Sequence, residues 1–191
     1  MAETIDRKLN LVLTYPRDKG ALYVHATAIS KQVFETYYRV ISKAFASIYT
    51  DYGGASGAFA SGPRIAALEL KRAAAEFGGE SAKADVEQGL MAEIRRLANA
   101  ILLTDKGWET LPLGEVIKRG LLDEDEASEV ENALAFFTVA SRMHRKQELT
   151  GVLGVMSDLW GAQIVSSNCT AYAASLEIPS QADVTTKKAA A

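Results

Sequence analysis

The chain has 191 residues, of which 48% are hydrophobic and 24% charged, with a formal net charge of -3. This suits one globular α+β domain over residues 1–178 with a disordered tail over 179–191, and the weak acidity supplies no global field for nucleic acid or an anionic membrane. Cys169 is the single cysteine, which excludes an internal disulfide and is compatible with a reducing cytoplasm.

The N-terminal "MAETIDRKLNLVLTY" mixes acids with bases and lacks the apolar run of a secretion signal. No window reaches the roughly 18 uninterrupted apolar residues of a membrane span, so a soluble intracellular protein is expected. In "KLNLVLTY" Leu9, Leu11 and Leu13 share one face; in "ALYVHATA" Leu22, Val24 and Ala26 share one face and Tyr23 and His25 the other. With the turn cluster "PRDKG" between them, these predict a β-hairpin over residues 8–28 whose leucine face needs a cover.

From residue 30 onward the pattern is helical. Ser30 is a good N-cap for a helix carrying Val33, Phe34, Tyr37, Tyr38, Ile41, Phe45, Ile48 and Tyr49. Residues 53–62 read as a flexible glycine-rich connector. A second helix follows in "PRIAALELKRAAAEFGG", with Pro63 in its first turn, Gly78 past its end and an apolar line of Ala66, Leu70, Ala73 and Phe77. A third carries Val86, Leu90, Ile94, Leu97 and Ile101; "TDKGWETLP" reads as a loop or short extended piece, and "LGEVIKRG" as a two-turn helix stopped by Gly120. In "LLDEDEASEVENALAFFTVASRMHRK", Asp123 and Glu126 have the form of a capping box, and the broad apolar face predicts a helix near the centre of the core. A further helix is expected over 149–160, continuing past Gly161 to Leu176. The fold expected is thus an N-terminal hairpin followed by a mainly α-helical bundle of five or six helices.

Few residues offer chemistry. Gly57 and Gly62 have the spacing that opens a phosphate-binding loop, but Pro63 and Arg64 stand where a lysine and a hydroxyl are required, and a helix precedes where a strand is required. A connector between helices, or a segment that orders on binding with Phe59 as its anchor, fits better. "DEDEASEVE" lacks the alternating ligands and central glycine of a calcium loop and is explained by helix capping. His25, His144 and Cys169 have no metal-ligand spacing, so neither a catalytic set nor a metal or cofactor is expected. Lys71–Arg72 and Arg95–Arg96 read as solvated surface. The aromatics Tyr37, Tyr38, Phe59, Trp160 and Tyr172 are the candidate partner-binding residues, since aromatics suit interfaces, with core packing as the competing role.

Four stretches, "LNLVLTYPRDKGALYVHATAISKQVFETYYRVISKAFASIY", "GPRIAALELKRAA", "VEQGLMAEIRRLANAILLTDKGWETLPLGEVIKRGLLDEDEASEVENALAFFTVASRMHR" and "LWGAQIVSSNCTAYAASL", together resemble the tail assembly chaperones of long-tailed bacteriophages. The likeness spans nearly the whole chain apart from its C-terminal tail and lies in overall pattern, so no functional residue is transferred. It implies a non-enzymatic protein, made in the host bacterial cytoplasm, that coats the phage tape measure protein, recruits tail tube protein and is released. In many members a ribosomal frameshift yields a longer form. The alternative is a structural virion protein of the tail or head–tail junction, such as a tail completion or connector subunit. Homo-oligomerisation is compatible with either.

Overall fold

The period-two alternation at the N-terminus folds as it predicts. The computed structural model describes residues 10–17, 20–51, 54–144 and 161–177. Strands β1 (Asn10–Arg17) and β2 (Gly20–Thr27) pair antiparallel, with Leu11 opposite Ala26 and Leu13 opposite Val24. Leu11, Leu13, Leu22, Val24 and Ala26 enter the main core, while Val12 and Tyr23 face the other way and join Ile101 in a small second cluster.

This hairpin is the middle of a five-stranded sheet, where a helical bundle was expected to follow it. Strand β3 (Ala98–Thr104) adds beside β2 and β4 (Gly107–Pro112) beside β3, while β5 (Gln163–Val165) pairs with the outer side of β1. The order is β4-β3-β2-β1-β5, antiparallel throughout. The expected third helix therefore ends early. Leu97 still donates to Glu93 O, but its carbonyl accepts from Thr27 N at 3.1 Å, and this first bond to β2 takes the chain out of the helix. Ala98 and Ala100 then face the main core and Ile101 the second cluster, a strand alternation. The expected loop or short extended piece at 104–112 is the turn and second strand of a hairpin, so its extended reading holds for Gly107–Pro112. Thr104 stands opposite Gly107, whose φ of 105° suits glycine, and Thr104 Oγ1 donates to Gly107 O at 2.9 Å.

The helices cover the leucine face. Ser30 caps α1 (Lys31–Asp51) by accepting from Val33 N at 3.2 Å, and Ile41, Ala44 and Ile48 are buried beneath it. Helix α2 (Gly54–Asp85) packs against α1 and against α5 (Glu124–Met143). Residues 54–62 are thus helical rather than a connector. Gly62 is buried where the helix passes Phe136: a Cβ there would lie 2.3 Å from a ring carbon. At Gly62 burial against α5 offsets the helix cost of glycine, about 1 kcal/mol. Beyond Pro63, Asn132 Oδ1 of α5 accepts from Ala67 N at 3.0 Å. Helix α2 kinks at Gly78–Gly79, where both residues leave the helical region.

A π-helical segment (Val86–Met91) and α3 (Ala92–Arg96) lead into β3. The two-turn helix α4 (Leu113–Lys118) is stopped at Gly120, with φ 66°. The capping box of α5 is complete: Glu126 N donates to Asp123 Oδ1 at 2.8 Å and Asp123 N to Glu126 Oε2 at 3.0 Å. Every residue from 133 to 140 is buried, which makes α5 the central helix its breadth predicts.

The expected helix over 149–160, Leu9, Tyr52, Gly53 and the tail 179–191 lie outside the described residues. The expected helical continuation to Leu176 is replaced. Gly161 turns the chain with φ 60°, β5 follows, and Asn168 caps the short helix α6 (Cys169–Ser175) by accepting from Ala171 N at 2.9 Å. Residues 169–176 then pack on the face of the sheet remote from the other helices, while Ala162 and Ile164 pack with the main core.

Candidate functional site

Reactive side chains are used in packing. Among the described residues no group of three or more His, Cys, Asp or Glu is placed to hold a metal. His25 is 2% exposed, and its Nε2 donates to Ser167 O at 2.9 Å. His144 follows the last turn of α5 and meets the Phe45 ring edge-on, centroids 5.4 Å apart. Cys169 packs on β4, where burial pushes its thiol up and a hydrogen bond from Thr110 opposes the shift. A shallow groove between β1 and α5, lined by Leu13, Thr14, Tyr15, Pro16, Glu129 and Ala133, has a volume of about 230 Å³. That is below the range of about 300–1,000 Å³ usual for small-molecule sites. Burial, with the Glu129 and Glu126 carboxylates, drives the Tyr15 hydroxyl well above its ordinary range, so it stays protonated.

The charges mark joints between elements. Arg17, at the end of β1, pairs with Glu126 in the first turn of α5, and this partner holds the Glu126 carboxyl below its ordinary value. Arg95 is not the solvated surface residue expected. It lies between Glu131 of α5 and Glu87 of the π-helical segment, 2.7 Å from each, and Glu87 also meets Lys71 of α2 at 2.8 Å. Burial alone would raise the Glu87 carboxyl, but Lys71 and Arg95 outweigh it and hold it low. Arg72 and Arg96 are exposed, as expected.

The candidate aromatics do not converge. Tyr37 is half-buried on α1, with its hydroxyl in the space a Cβ on Gly89 would occupy. Burial, with the Asp85 charge, pushes that hydroxyl up. Tyr38 is 53% exposed and stands edge-on to Phe34 with centroids 5.7 Å apart. Phe59 is in α2, but its side chain lies outside the described residues, as does Trp160. Tyr172 is 9% exposed and is held within the chain, edge-on to Tyr23 at 5.9 Å in the second cluster.

Two groups were not anticipated. Phe77, expected in the apolar line of α2, is 47% exposed with the Arg39 guanidinium 4.8 Å above its ring. The break at Gly78 follows it directly, and the core contacts of this turn are made by Ala73 and Ala74. Tyr38 on α1, and Phe77 on α2 with Arg39 over it, thus present exposed aromatics and an arginine, residue types that concentrate binding energy at interfaces, while Phe34 packs partly against the main core. The second group is Trp108, whose ring stacks edge-on to Tyr23 at 5.5 Å and whose Nε1 donates to Glu177 O at 3.2 Å. Its role is not legible in the sequence because the pairing of β4 with β3 brings Trp108 beside Tyr23.

No protein-family model, no curated protein and no solved structure matches this chain. No helix among the described residues is long and apolar enough to cross a membrane.

Proposed function

We propose that this chain is a phage tail assembly chaperone: a non-enzymatic protein that works in the infected bacterial cytoplasm, binds the tape measure protein and assists assembly of the tail tube. The observation that supports a partner-binding role is a pair of exposed rings on α1 and α2, Tyr38 at 53% edge-on to Phe34 and Phe77 at 47% beneath the Arg39 guanidinium. Exposed rings on a firmly packed helix pair suit an apolar-patterned client, since they add buried area without ordering a loop on binding. The phage assignment itself rests on the sequence resemblance.

Co-expression with the tape measure protein is the direct test. The two should co-purify, and replacing both Tyr38 and Phe77 by alanine should reduce the recovered complex at least about tenfold, as expected for interface aromatics, without lowering thermal stability. The reading fails if the two proteins never co-purify and the client's solubility is unchanged. Mass spectrometry of purified particles separates the structural alternative: a chaperone is scarce or absent there, a tail completion or connector subunit stoichiometric.

A further inference from the structure

The outer side of β1 is paired along only part of its length. Strand β5 begins at Gln163 and covers Asn10–Val12, so no described strand residue stands opposite Leu13–Arg17 on that side. The direction of the main chain there follows from two observations. Thr27 N, opposite Asn10 in β2, donates away from β1 to Leu97 O, so Asn10 and Thr27 form a non-hydrogen-bonded pair. Such pairs alternate along an antiparallel ladder, which puts Val12, Thr14 and Pro16 in the same class and aims their main-chain groups outward. Pro16 fits this class because it has no N–H to give to β2. Thr14 thus holds out an N–H and a C=O, and Pro16 a further C=O, along an edge that no described strand pairs.

This open edge forms one wall of the groove described above. Leu13, Thr14, Tyr15 and Pro16 line it from β1, and Glu129 and Ala133 from α5. Its volume of about 230 Å³ is small for a ligand of its own but suits a single long side chain. Its charge is one-sided. Asp125 and Glu129 are exposed one turn apart on α5, and neither has a cationic partner among the described residues. Like charges at this spacing oppose each other. Arg17, at the end of β1, is already paired with Glu126. The Tyr15 hydroxyl stays protonated beside Glu129 and offers a donor and an acceptor.

We infer that the edge of β1 at Thr14 takes an extended segment of a partner protein, and that a lysine or arginine of this segment enters the groove to meet Glu129. Side chains alternate across an added strand. The partner residue that pairs with Thr14 faces the back of the sheet, and the residue next to it, opposite Tyr15, faces α5 and the groove. Main-chain bonds supply affinity and the groove chooses the side chain, as in other cases of strand addition. Uncompensated carboxylates exclude an acidic segment, and Pro16 ends the ladder. Neither Tyr38 nor Phe77 lines this groove, so the inference stands apart from the tape measure reading.

The probe is a synthetic peptide, acetyl-Thr-Val-Thr-Lys-Thr-Val-Thr-amide, titrated into the isotope-labelled full chain while NMR follows the protein's amides. Those of Thr14 and Tyr15 should shift saturably, with a dissociation constant on the order of 1 mM or tighter. Replacing the peptide's lysine by glutamate should weaken binding at least about fivefold, and Glu129→Lys, an exposed change on α5, should cut that preference by a similar factor. N-methylation of alternate peptide amides separates strand pairing from charge. Methylating one set should abolish binding and methylating the other should leave it, since only one edge of the peptide faces β1. The inference is overturned if Thr14 does not shift by about 5 mM peptide, on the scale of the weakest binding expected. It is overturned equally if the glutamate peptide binds as well, if Glu129→Lys leaves the preference unchanged, or if the two methylated peptides behave alike.

Discussion

At Gly62 the chain depends on having no side chain. The nearest Phe136 ring carbons lie 2.3 and 2.6 Å from where a Cβ would stand, and Phe136 is itself buried at 3% exposure. Gly62→Ala adds a methyl group where neither helix can yield, so it should destabilise by about 1–3 kcal/mol despite alanine's better helix propensity. Chemical denaturation of the pair checks this; a stabilised variant would mean that the two helices are not in contact there. Gly89 looks similar, but the conflict is with the far end of Tyr37, which can swing away, so Gly89→Ala should cost less. Neither role is legible from the sequence. "GASGAFASGP" carries the composition of a linker, and only the ring across from it explains the glycine.

Elements whose determinants are local were readable. The hairpin, the Ser30 cap, the Gly120 stop and the Asp123–Glu126 box follow from residues within a turn of one another. Strands β3 and β4 were not, because Leu97 and Ile101 fit a helical stripe as well as they fit a strand, and the deciding bond comes from Thr27 far back in the chain. The α5 cap has a measurable weight: Asp123→Ala should cost about 1 kcal/mol, read as a lower denaturant midpoint. Its partner Glu126 also makes stability depend on pH. Arg17 holds the folded Glu126 carboxyl below its unfolded value. That contribution is therefore present above the ordinary glutamate range and lost as pH falls through the folded value. Arg17→Ala should flatten the acid limb of the stability profile while leaving the neutral-to-alkaline limb parallel to wild type; an unchanged acid limb would show the pair to be inert.

Across the whole molecule the sheet separates two unequal cores, the larger under the helices and the smaller under α6. Leu70, fully buried on α2, belongs to the larger. Leu70→Ala should cost about 2–5 kcal/mol of global stability, whereas Tyr172→Ala should shift the global midpoint far less. Equal shifts in urea unfolding would show one cooperative unit instead. The candidate partner surfaces were half legible. Of the aromatics, Tyr38 is 53% exposed and Tyr172 only 9%, while Phe77, expected in the apolar line of α2, is 47% exposed. Helical periodicity says which side of a helix is apolar, but it does not say which residues on that side reach the core: Ala73 and Ala74 do, Phe77 does not.

The order of the strands also constrains how the chain emerges during translation. Val12 acquires its outer neighbour only when Gln163 has been made. At about 5–20 residues per second this leaves the edge of β1 bare for roughly 8–30 s on each nascent polypeptide. An exposed strand edge is a template for stray pairing, and on a polysome identical copies are close at hand. Pro16, which has no N–H to offer and lies beyond the reach of β5, blunts the same strand from its first moments outside the exit tunnel.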